Sequence, residues 1–171
     1  GSANRRDNSC SRVKWGGLNC ISTDYNNDGY VDILILRGGW LEGLGLLPNS
    51  LLKNINGKYF ENVSFETGLT GAYPSHAAVW ADFNNDGWLD LVIGNESRND
   101  EFPSEFYLNQ GGNVFNERSA ASGFNVNAYV KGLSATDYDN DGDVDVFVSN
   151  FSGDNQLIKN LLIETGELKF K

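Results

Sequence analysis

The sequence contains few of the residues that bind soft metal ions. Its 171 residues include one histidine, two cysteines and no methionine. A zinc or copper cluster needs several histidine or cysteine ligands close together, so these counts argue against such a cluster. The absence of methionine predicts a segment that does not start at a translation start, either because Gly1-Ser2 is a cloning scar or because the segment lies inside a longer or processed protein.

Long apolar runs are also absent. A helix that crosses a membrane needs a run of about 18 or more apolar residues, and this sequence has none. It also shows no signal peptide, which would have a basic segment followed by an apolar one. The sequence therefore predicts no membrane span and shows no targeting signal of its own. Cys10 and Cys20 leave two alternatives open: a short local disulfide in an exported protein, or a small buried strand residue at Cys20.

What the sequence does contain is concentrated acidity. Hydrophobic residues make up 40% of the chain and predict a packed interior, while the formal charge of −10 argues against nucleic-acid partners. Of the 14 aspartates, 11 lie in the three windows 24–32, 82–90 and 137–145. Clustered carboxylates repel one another unless a cation or protons lie between them.

These windows belong to a repeat. The acidic segments begin at residues 24, 82 and 137, so the spacing is 58 and then 55 residues. The likeness continues into later runs, because 48–54 matches 103–109 and 154–160, and 57–64 matches 112–119. We therefore predict an N-terminal extension over 1–16 and modules over 17–74, 75–129 and 130–171, the third of them truncated.

Each module has four short runs with strand character, linked by turns rich in asparagine and glycine, and no run of helical length. Four antiparallel strands in a repeat of about 55 residues are typical of a β-propeller blade. The sequence thus predicts an all-β protein made of about three such blades. Apolar residues fill the first two strands almost continuously, and this predicts burial on both faces as blade packs on blade.

Each acidic segment carries side-chain oxygens at loop positions 1, 3, 5 and 9, and glycine follows position 5. A loop that curls around a hard divalent ion places several oxygens at about 2.3–2.6 Å from it. Position 7 would add its backbone carbonyl, so its side chain is free to vary. The predicted ligands are Asp24, Asn26, Asp28, Tyr30 and Asp32; Asp82, Asn84, Asp86, Trp88 and Asp90; and Asp137, Asp139, Asp141, Asp143 and Asp145.

The first six residues of each segment are like those of an EF-hand, but the remainder is not. An EF-hand needs glutamate at position 12, where this chain has Ile35, Ile93 and Val148. The closing carboxylate instead comes from position 9, at the start of a strand. Many protein oxygens favour calcium over magnesium, and we predict three Ca²⁺ ions, one in each loop. The alternative is three solvated turns without metal.

The acidic loop is followed by a strand that ends in Leu-x-Asn or a close variant of it, and then by a Gly-x-x-Phe run. This succession of motifs resembles the VCBS/FG-GAP repeats of integrin-α-like propellers. The likeness is greatest to extracellular proteins of the ASPIC/cartilage acidic protein type, and it covers about residues 17–171. It implies an extracellular, cell-surface or periplasmic protein whose propeller has about seven blades and serves adhesion or binding. Three blades do not close such a ring, so we expect further blades of a parent chain, or other copies, as partners.

The leading hypothesis is a non-catalytic adhesion or scaffold module that contacts a protein or glycan ligand through its long loops, 38–47 and 96–102. Trp40 is either a binding aromatic or a packing residue. A rival hypothesis is a fragment of a propeller-type polysaccharide lyase or dehydratase, with His76 as the residue to test. A third is a structural subunit that self-assembles. The sequons at Asn62, Asn95 and Asn150 leave glycosylation open.

Overall fold

Three antiparallel sheets follow one another along the chain in this computed structural model, which describes residues 17–97 and 101–171. The first sheet has its four strands in sequence order: β1 (Asn19–Thr23), β2 (Asp32–Leu36), β3 (Ser50–Ile55) and β4 (Tyr59–Asn62). A 3₁₀ helix, Glu42–Gly45, lies between β2 and β3. The predicted extension, residues 1–16, lies outside the described residues, and so does Cys10.

The second sheet repeats the order of the first. Its strands are β5 (Ser75–Ala81), β6 (Asp90–Asn95), β7 (Glu105–Asn109) and β8 (Phe115–Glu117). A short helix, α1 (Ser119–Ser122), follows and ends at Gly123, whose φ of 76° is the left-handed conformation that glycine adopts readily at a helix end. The prediction of four-stranded antiparallel blades is confirmed for these two sheets.

The third sheet has three strands, β9 (Val130–Thr136), β10 (Asp145–Asn150) and β11 (Gln156–Ile158). A four-residue helix, α2 (Leu162–Thr165), replaces the tight turn that follows the third strand in the other sheets. The chain then returns beside β11 as an isolated bridge between Asn160 and Phe170, which stands where the fourth strand of a blade begins.

Turns join the third and fourth strands of the first two sheets as the sequence predicts. Asn56 and Gly57 both have positive φ, 53° and 71°, the conformation that a two-residue hairpin turn requires. In the second sheet Gly111 and Gly112 have φ of 72° and 79°. Asparagine and glycine tolerate this region of backbone space better than other residues do, which explains their presence here.

The apolar core lies between neighbouring sheets. Tyr25, Leu34 and Leu36 of the first sheet pack against Leu91 and Ile93 of the second. The other face of the second sheet packs on the third through a second cluster, whose members include Phe83, Val92, Phe106, Val146 and Phe170. Every residue of β6 is buried because a sheet lies on each side of it. Burial on both faces is thus confirmed for this strand.

Some details differ from the sequence analysis. His76, the residue to test for the enzyme alternative, is the second residue of β5. Cys20 lies in β1 but is exposed, so the alternative of a buried strand cysteine is wrong. In the first and third sheets the second strand is only partly buried, with alternate residues of β2 half-exposed. Among the helices of the described ranges, none is long and apolar enough to cross a membrane.

Candidate metal centres

Each acidic segment forms the connection between the first and second strands of a sheet. In the first, the carboxylate of Asp24 accepts the backbone N–H of Asp28 at 3.0 Å and that of Gly29 at 2.8 Å. Asp28 in turn accepts the N–H of Tyr30 at 3.0 Å, and its other oxygen lies 3.0 Å from the amide of Asn26. These bonds curl the loop so that positions 1, 3 and 5 face the same space.

The same bonds recur in the second and third loops. Asp82 accepts from Asp86 and Gly87 at 3.0 and 2.8 Å, and Asp137 accepts from residues 141 and 142 at 3.1 Å each. The glycine after position 5 has φ of 86°, 89° and 102° in the three loops. At Gly87 an added Cβ would meet nothing within 4 Å, so the left-handed backbone, and not crowding, requires glycine there.

Position 9 lies below each loop at the start of the second strand, and its carboxylate is buried. Asp90 is fully buried and accepts the N–H of Phe83 at 3.0 Å and that of Asn109 at 2.8 Å. Asp145 makes the matching pair of bonds with residues 138 and 160. Position 9 therefore ties the loop to the end of the third strand.

Burial and crowding of like charge affect the acidity of these carboxyl groups. The pKa of Asp90 is raised to about 7, chiefly by desolvation; two backbone hydrogen bonds act to lower it, and the nearby charges of Asp86 and Asp82 act to raise it. The pKa values of Asp32 and Asp145 are raised as well, first by burial. A divalent cation among the loop oxygens would counter both effects because it favours the ionised forms.

The third loop carries more charge than the other two. Position 3 is Asp139, and the carboxylates of Asp137, Asp139 and Asp145 have oxygens within 4.8 Å of one another. Position 7 also differs, because Tyr30 is exposed and Trp88 is half-buried, whereas the carboxylate of Asp143 is fully buried. From the sequence alone, only a backbone carbonyl is expected to act at this position, and no role is predicted for the Asp143 side chain.

Two lysines approach the loops from the third strand or the residue after it. Lys53 Nζ lies 3.5 Å from Asp28 in the first sheet, and the equivalent residue of the second sheet is Leu108. In the third, Lys159 Nζ lies 2.5 Å from Asp139, 3.1 Å from Asp141 and 2.6 Å from Glu164. These hydrogen bonds and charges raise the pKa of Lys159.

The loops also connect neighbouring sheets through hydrogen bonds that the sequence does not predict. At position 4, Asn27 donates its amide to the carbonyl of Gly87 at 3.2 Å, and Asn85 donates to that of Gly142 at 3.1 Å. In the opposite direction, Asn109 donates to the carbonyl of Tyr25 at 3.0 Å. Asn160 repeats this with Phe83 at 2.8 Å. The second loop is thus held from both sides, whereas these bonds join the first and third loops to one neighbouring sheet each.

The arrangement fits a hard cation. The donors that face each loop are carboxylate and amide oxygens, with no nitrogen or sulfur ligand among the predicted residues. Oxygen donors suit Ca²⁺ or Mg²⁺, and like-charged groups held this close are stabilised by a cation between them. The clusters of acidic residues could therefore bind a metal ion, and the third loop has the largest number of carboxylates.

A second polar cluster lies at the opposite end of the strands, where the three sheets meet. Glu96 is buried and accepts the backbone N–H of Trp40 at 2.5 Å. It also pairs with Lys131 and lies 3.0 Å from Nδ1 of His76. Burial and the charge of Lys131 lower the pKa of His76, against Glu96, which raises it. Trp40 has φ of 69° and is 57% exposed, with Lys131 Nζ 3.2 Å from its ring centroid.

Two known proteins are similar to this chain over more than half of its length. The chain is similar to cartilage acidic protein 1 of Xenopus tropicalis, at 32% identity over 61% of this chain and 16% of that protein. It is also similar to cartilage acidic protein 1 of Mus musculus, at 30% identity over 70% of this chain and 19% of that protein. The chain therefore spans less than a fifth of the length of either relative.

A family model described as an FG-GAP-like repeat matches residues 24–93 and again residues 82–148. Each match begins at position 1 of an acidic loop. The first match ends inside β6 and the second inside β10, so each reaches the second strand of the following sheet. The two matches start 58 residues apart, as the first two acidic loops do, and overlap over residues 82–93. Together the two matches cover more than half of the chain, which belongs to the FG-GAP-like repeat family.

Proposed function

We propose that the chain is a calcium-binding repeat segment in which each acidic loop holds one Ca²⁺ ion and the ions stabilise the fold. Positions 1, 3, 5 and 9 would supply side-chain oxygens, and Tyr30, Trp88 and Asp143 would supply their backbone carbonyls. The observation that carries this proposal is the repetition of one loop geometry at three equivalent corners, each above a buried aspartate at position 9. The units would be residues 17–74, 75–129 and 130–171.

Calcium would act mainly on stability. A site filled at a hundred times its dissociation constant adds about 2.7 kcal/mol to the free energy of unfolding. Three independent sites would add about 8 kcal/mol, which is comparable with the whole net stability of a domain, about 5–15 kcal/mol. Three ions would also reduce the formal charge of the chain from −10 to −4.

Thermal unfolding with and without a calcium chelator tests this proposal. We expect the melting temperature to fall by more than 10 °C in chelator, since each kcal/mol shifts it by about 2–8 °C in domains of this size range. Asp86→Ala, which removes a loop oxygen, should weaken the calcium response. Asp154→Asn, outside the loops, should leave it intact. A melt that chelator does not change would rule out the proposal.

We infer that further modules of the same kind pack on the third sheet. Tyr138, Phe147 and Leu157 are 46%, 42% and 43% exposed on one face. Their equivalents in the second sheet, Phe83, Val92 and Phe106, are fully buried against the third. The partners would be remaining blades of a parent chain or other copies, and the fold would be a propeller of about seven blades or an assembly.

The role that this architecture supports best is an extracellular, cell-surface or periplasmic scaffold or adhesion module that binds a protein or glycan ligand. Calcium sites in extracellular modules have dissociation constants of about 10⁻⁴–10⁻³ M, which only the concentrations outside cells fill. Titration of the loops with Ca²⁺ tests this location. Dissociation constants below about 10⁻⁷ M would instead favour a site that fills inside cells.

We propose no catalytic activity, but the cluster around Glu96 gives the enzyme alternative a definite place. His76, Glu96 and Lys131 lie together beside an exposed aromatic ring, Trp40. A lyase acting on uronic-acid polysaccharides would use such groups to abstract a proton. Turnover of these polysaccharides that His76→Ala abolishes and Asp154→Asn preserves would establish the enzyme and displace the binding role.

A further inference from the structure

We propose that the third module binds a second divalent cation, held by the carboxylates of Asp141, Asp143 and Glu164, beside the ion expected in its loop. The inference rests on the proposed calcium-binding function and adds a fourth ion to the chain. Asp141 would bridge the two ions, because it is also a predicted ligand at position 5 of the loop.

The three carboxylates converge in the structure. One oxygen from each of Asp141, Asp143 and Glu164 lies within 4.8 Å of the other two. Oxygens that share a calcium ion at about 2.3–2.6 Å lie no more than about 5 Å apart, so the spacing suits one ion. Glu164 comes from α2, which the first two modules lack, and it approaches the loop from the side of the insertion.

The buried carboxylate of Asp143 is an independent indication of a ligand. The residue is fully buried, and its Oδ2 accepts the backbone N–H of Ile163 at 2.9 Å. Its Oδ1, which is also buried, has no hydrogen-bond partner among the described residues. A buried carboxylate oxygen without a partner is costly, and a cation at this point would compensate for it.

Charge balance separates the third module from the others. The first loop has three carboxylates and Lys53, so one divalent ion makes it neutral, and the second has three carboxylates and reaches −1 with one ion. The third has five loop aspartates, Glu164 and Lys159, a formal charge of −5. One ion reduces this to −3 and two reduce it to −1. Two ions thus bring the third module to the balance of the second.

Lys159 marks the same space. Its ammonium group contacts both Asp141 and Glu164, so a positive charge already lies between two of the three proposed ligands. Lys159 also contacts Asp139 at 2.5 Å. If a metal ion displaced the ammonium group of Lys159 from Glu164, the lysine could keep its contact with Asp139. We therefore expect Lys159→Met to tighten binding of the fourth ion, because the variant removes a competing cation.

The test is the number of calcium ions bound per chain, measured by native mass spectrometry or by metal analysis after equilibrium dialysis against Ca²⁺. We expect four ions in the wild-type chain and three in Glu164→Gln. Glu167→Gln, which removes the same charge three residues away at an exposed position, should still bind four. Asp143→Asn should also bind three, and circular dichroism would check that this buried variant folds.

The outcomes separate this inference from the proposed function. A wild-type count of three or fewer, or a count that Glu164→Gln leaves unchanged, would overturn the second site. Three ions in every one of these proteins would do so while the calcium-binding function stands. A count of zero in the wild-type chain would overturn the proposed function itself, and the fourth ion with it.

Discussion

The asparagine at loop position 4 has two stabilising roles, one in its backbone conformation and one in its side-chain hydrogen bond. Asn27, Asn85 and Asn140 all adopt left-handed backbone conformations, with φ of 54°, 57° and 59°. Asparagine tolerates this conformation better than most residues, so its presence curls the loop at little cost. The first two also donate their side-chain amide to the glycine carbonyl of the next loop. A single residue type thus shapes the loop and joins it to its neighbour.

Glycine substitution separates these two tasks. Asn85→Gly keeps the left-handed backbone accessible but removes the hydrogen bond to Gly142, worth about 1 kcal/mol. Asn140→Gly makes the same backbone change at a residue whose side chain has no hydrogen bond within the described part of the chain. Denaturant unfolding should therefore give Asn85→Gly the larger loss, by about 1 kcal/mol. Equal losses would show that the bond between loops contributes nothing.

Glu105 makes the stability depend on pH at a position remote from the acidic loops. Burial raises its pKa, against the hydrogen bonds from Tyr107, at 2.6 Å, and Asn95, at 3.3 Å. A carboxyl group whose pKa is raised by folding favours the folded state most below its unfolded pKa, near 4.5. That contribution is lost as the pH rises through the folded pKa.

The isosteric change Glu105→Gln removes this titration. We expect the variant to gain melting temperature relative to the wild type on going from pH 5 to pH 8, both in saturating calcium. Glu61→Gln, on the exposed strand β4, serves as the control and should follow the wild type at both pH values. The expectation fails if Glu105→Gln and the wild type shift in parallel between the two pH values.

At the scale of elements, the asparagine at the end of the third strand links its sheet to the acidic loop of the preceding sheet. Asn109 is buried, donates to the carbonyls of Tyr25 and Leu89, and accepts the N–H of Gly112 at 2.7 Å. Asn160 also joins two carbonyls, those of Phe83 and Val144. The strand end, its own loop and the preceding loop thus form one hydrogen-bonded unit, which recurs from sheet to sheet.

Removing this link should cost more than removing a similar side chain at the start of the array. Asn109→Ala leaves two carbonyls and one N–H without their partner, at about 1–3 kcal/mol for each buried group. Asn54→Ala loses only the contacts with Val31 and Gly57 of its own sheet. We expect a loss of about 3 kcal/mol for Asn109→Ala and about 1 kcal/mol for Asn54→Ala in denaturant unfolding. Similar losses would contradict a link between sheets.

The sequence predicts the local parts of this architecture well, because their causes are local. The turn at Asn56 and Gly57 and the loop around Asp86 follow from residues that adopt positive φ and from bonds spanning two to five positions. The four-stranded sheets follow from the alternation of apolar runs and such turns. These features can be predicted without knowing which sheets pack against each other.

What the sequence does not reveal depends on contacts between sheets. Asn27 reaches Gly87, 60 residues away, and Glu96 joins Trp40 and Lys131 from the first and third sheets. Neither link has a local pattern, although asparagine at position 4 of all three loops was a visible sign. The sequence does not predict helix α2 either, because a four-residue insertion has too few residues for a helical period.

At the scale of the whole molecule, equivalent residues of successive sheets lie at equivalent places, on the face towards the next sheet. Tyr25 and Phe83 are 2% and 0% exposed because each contacts the sheet that follows, whereas Tyr138 is 46% exposed. Phe147 and Leu157 extend this exposed area on the third sheet. An apolar face of this kind is typical of surfaces that pack against another protein element.

We therefore expect the isolated chain to associate, with the third sheet of one copy packing on the first sheet of another. Such a head-to-tail contact uses two different surfaces, so it grows into a ring or a chain and not into a symmetric pair. Sedimentation velocity in calcium should show sizes that increase with concentration. Calcium should favour association because it reduces the repulsion between acidic copies.

Phe147→Lys should abolish this association, because a lysine at the centre of the face would be buried without a partner on contact. Phe65→Lys is the matched control, since Phe65 is 82% exposed but lies in the turn after β4, outside the face. It makes the same chemical change and should leave the association intact. A wild-type chain that stays monomeric at every concentration, or equal effects of the two lysines, would show that this face does not receive a further module.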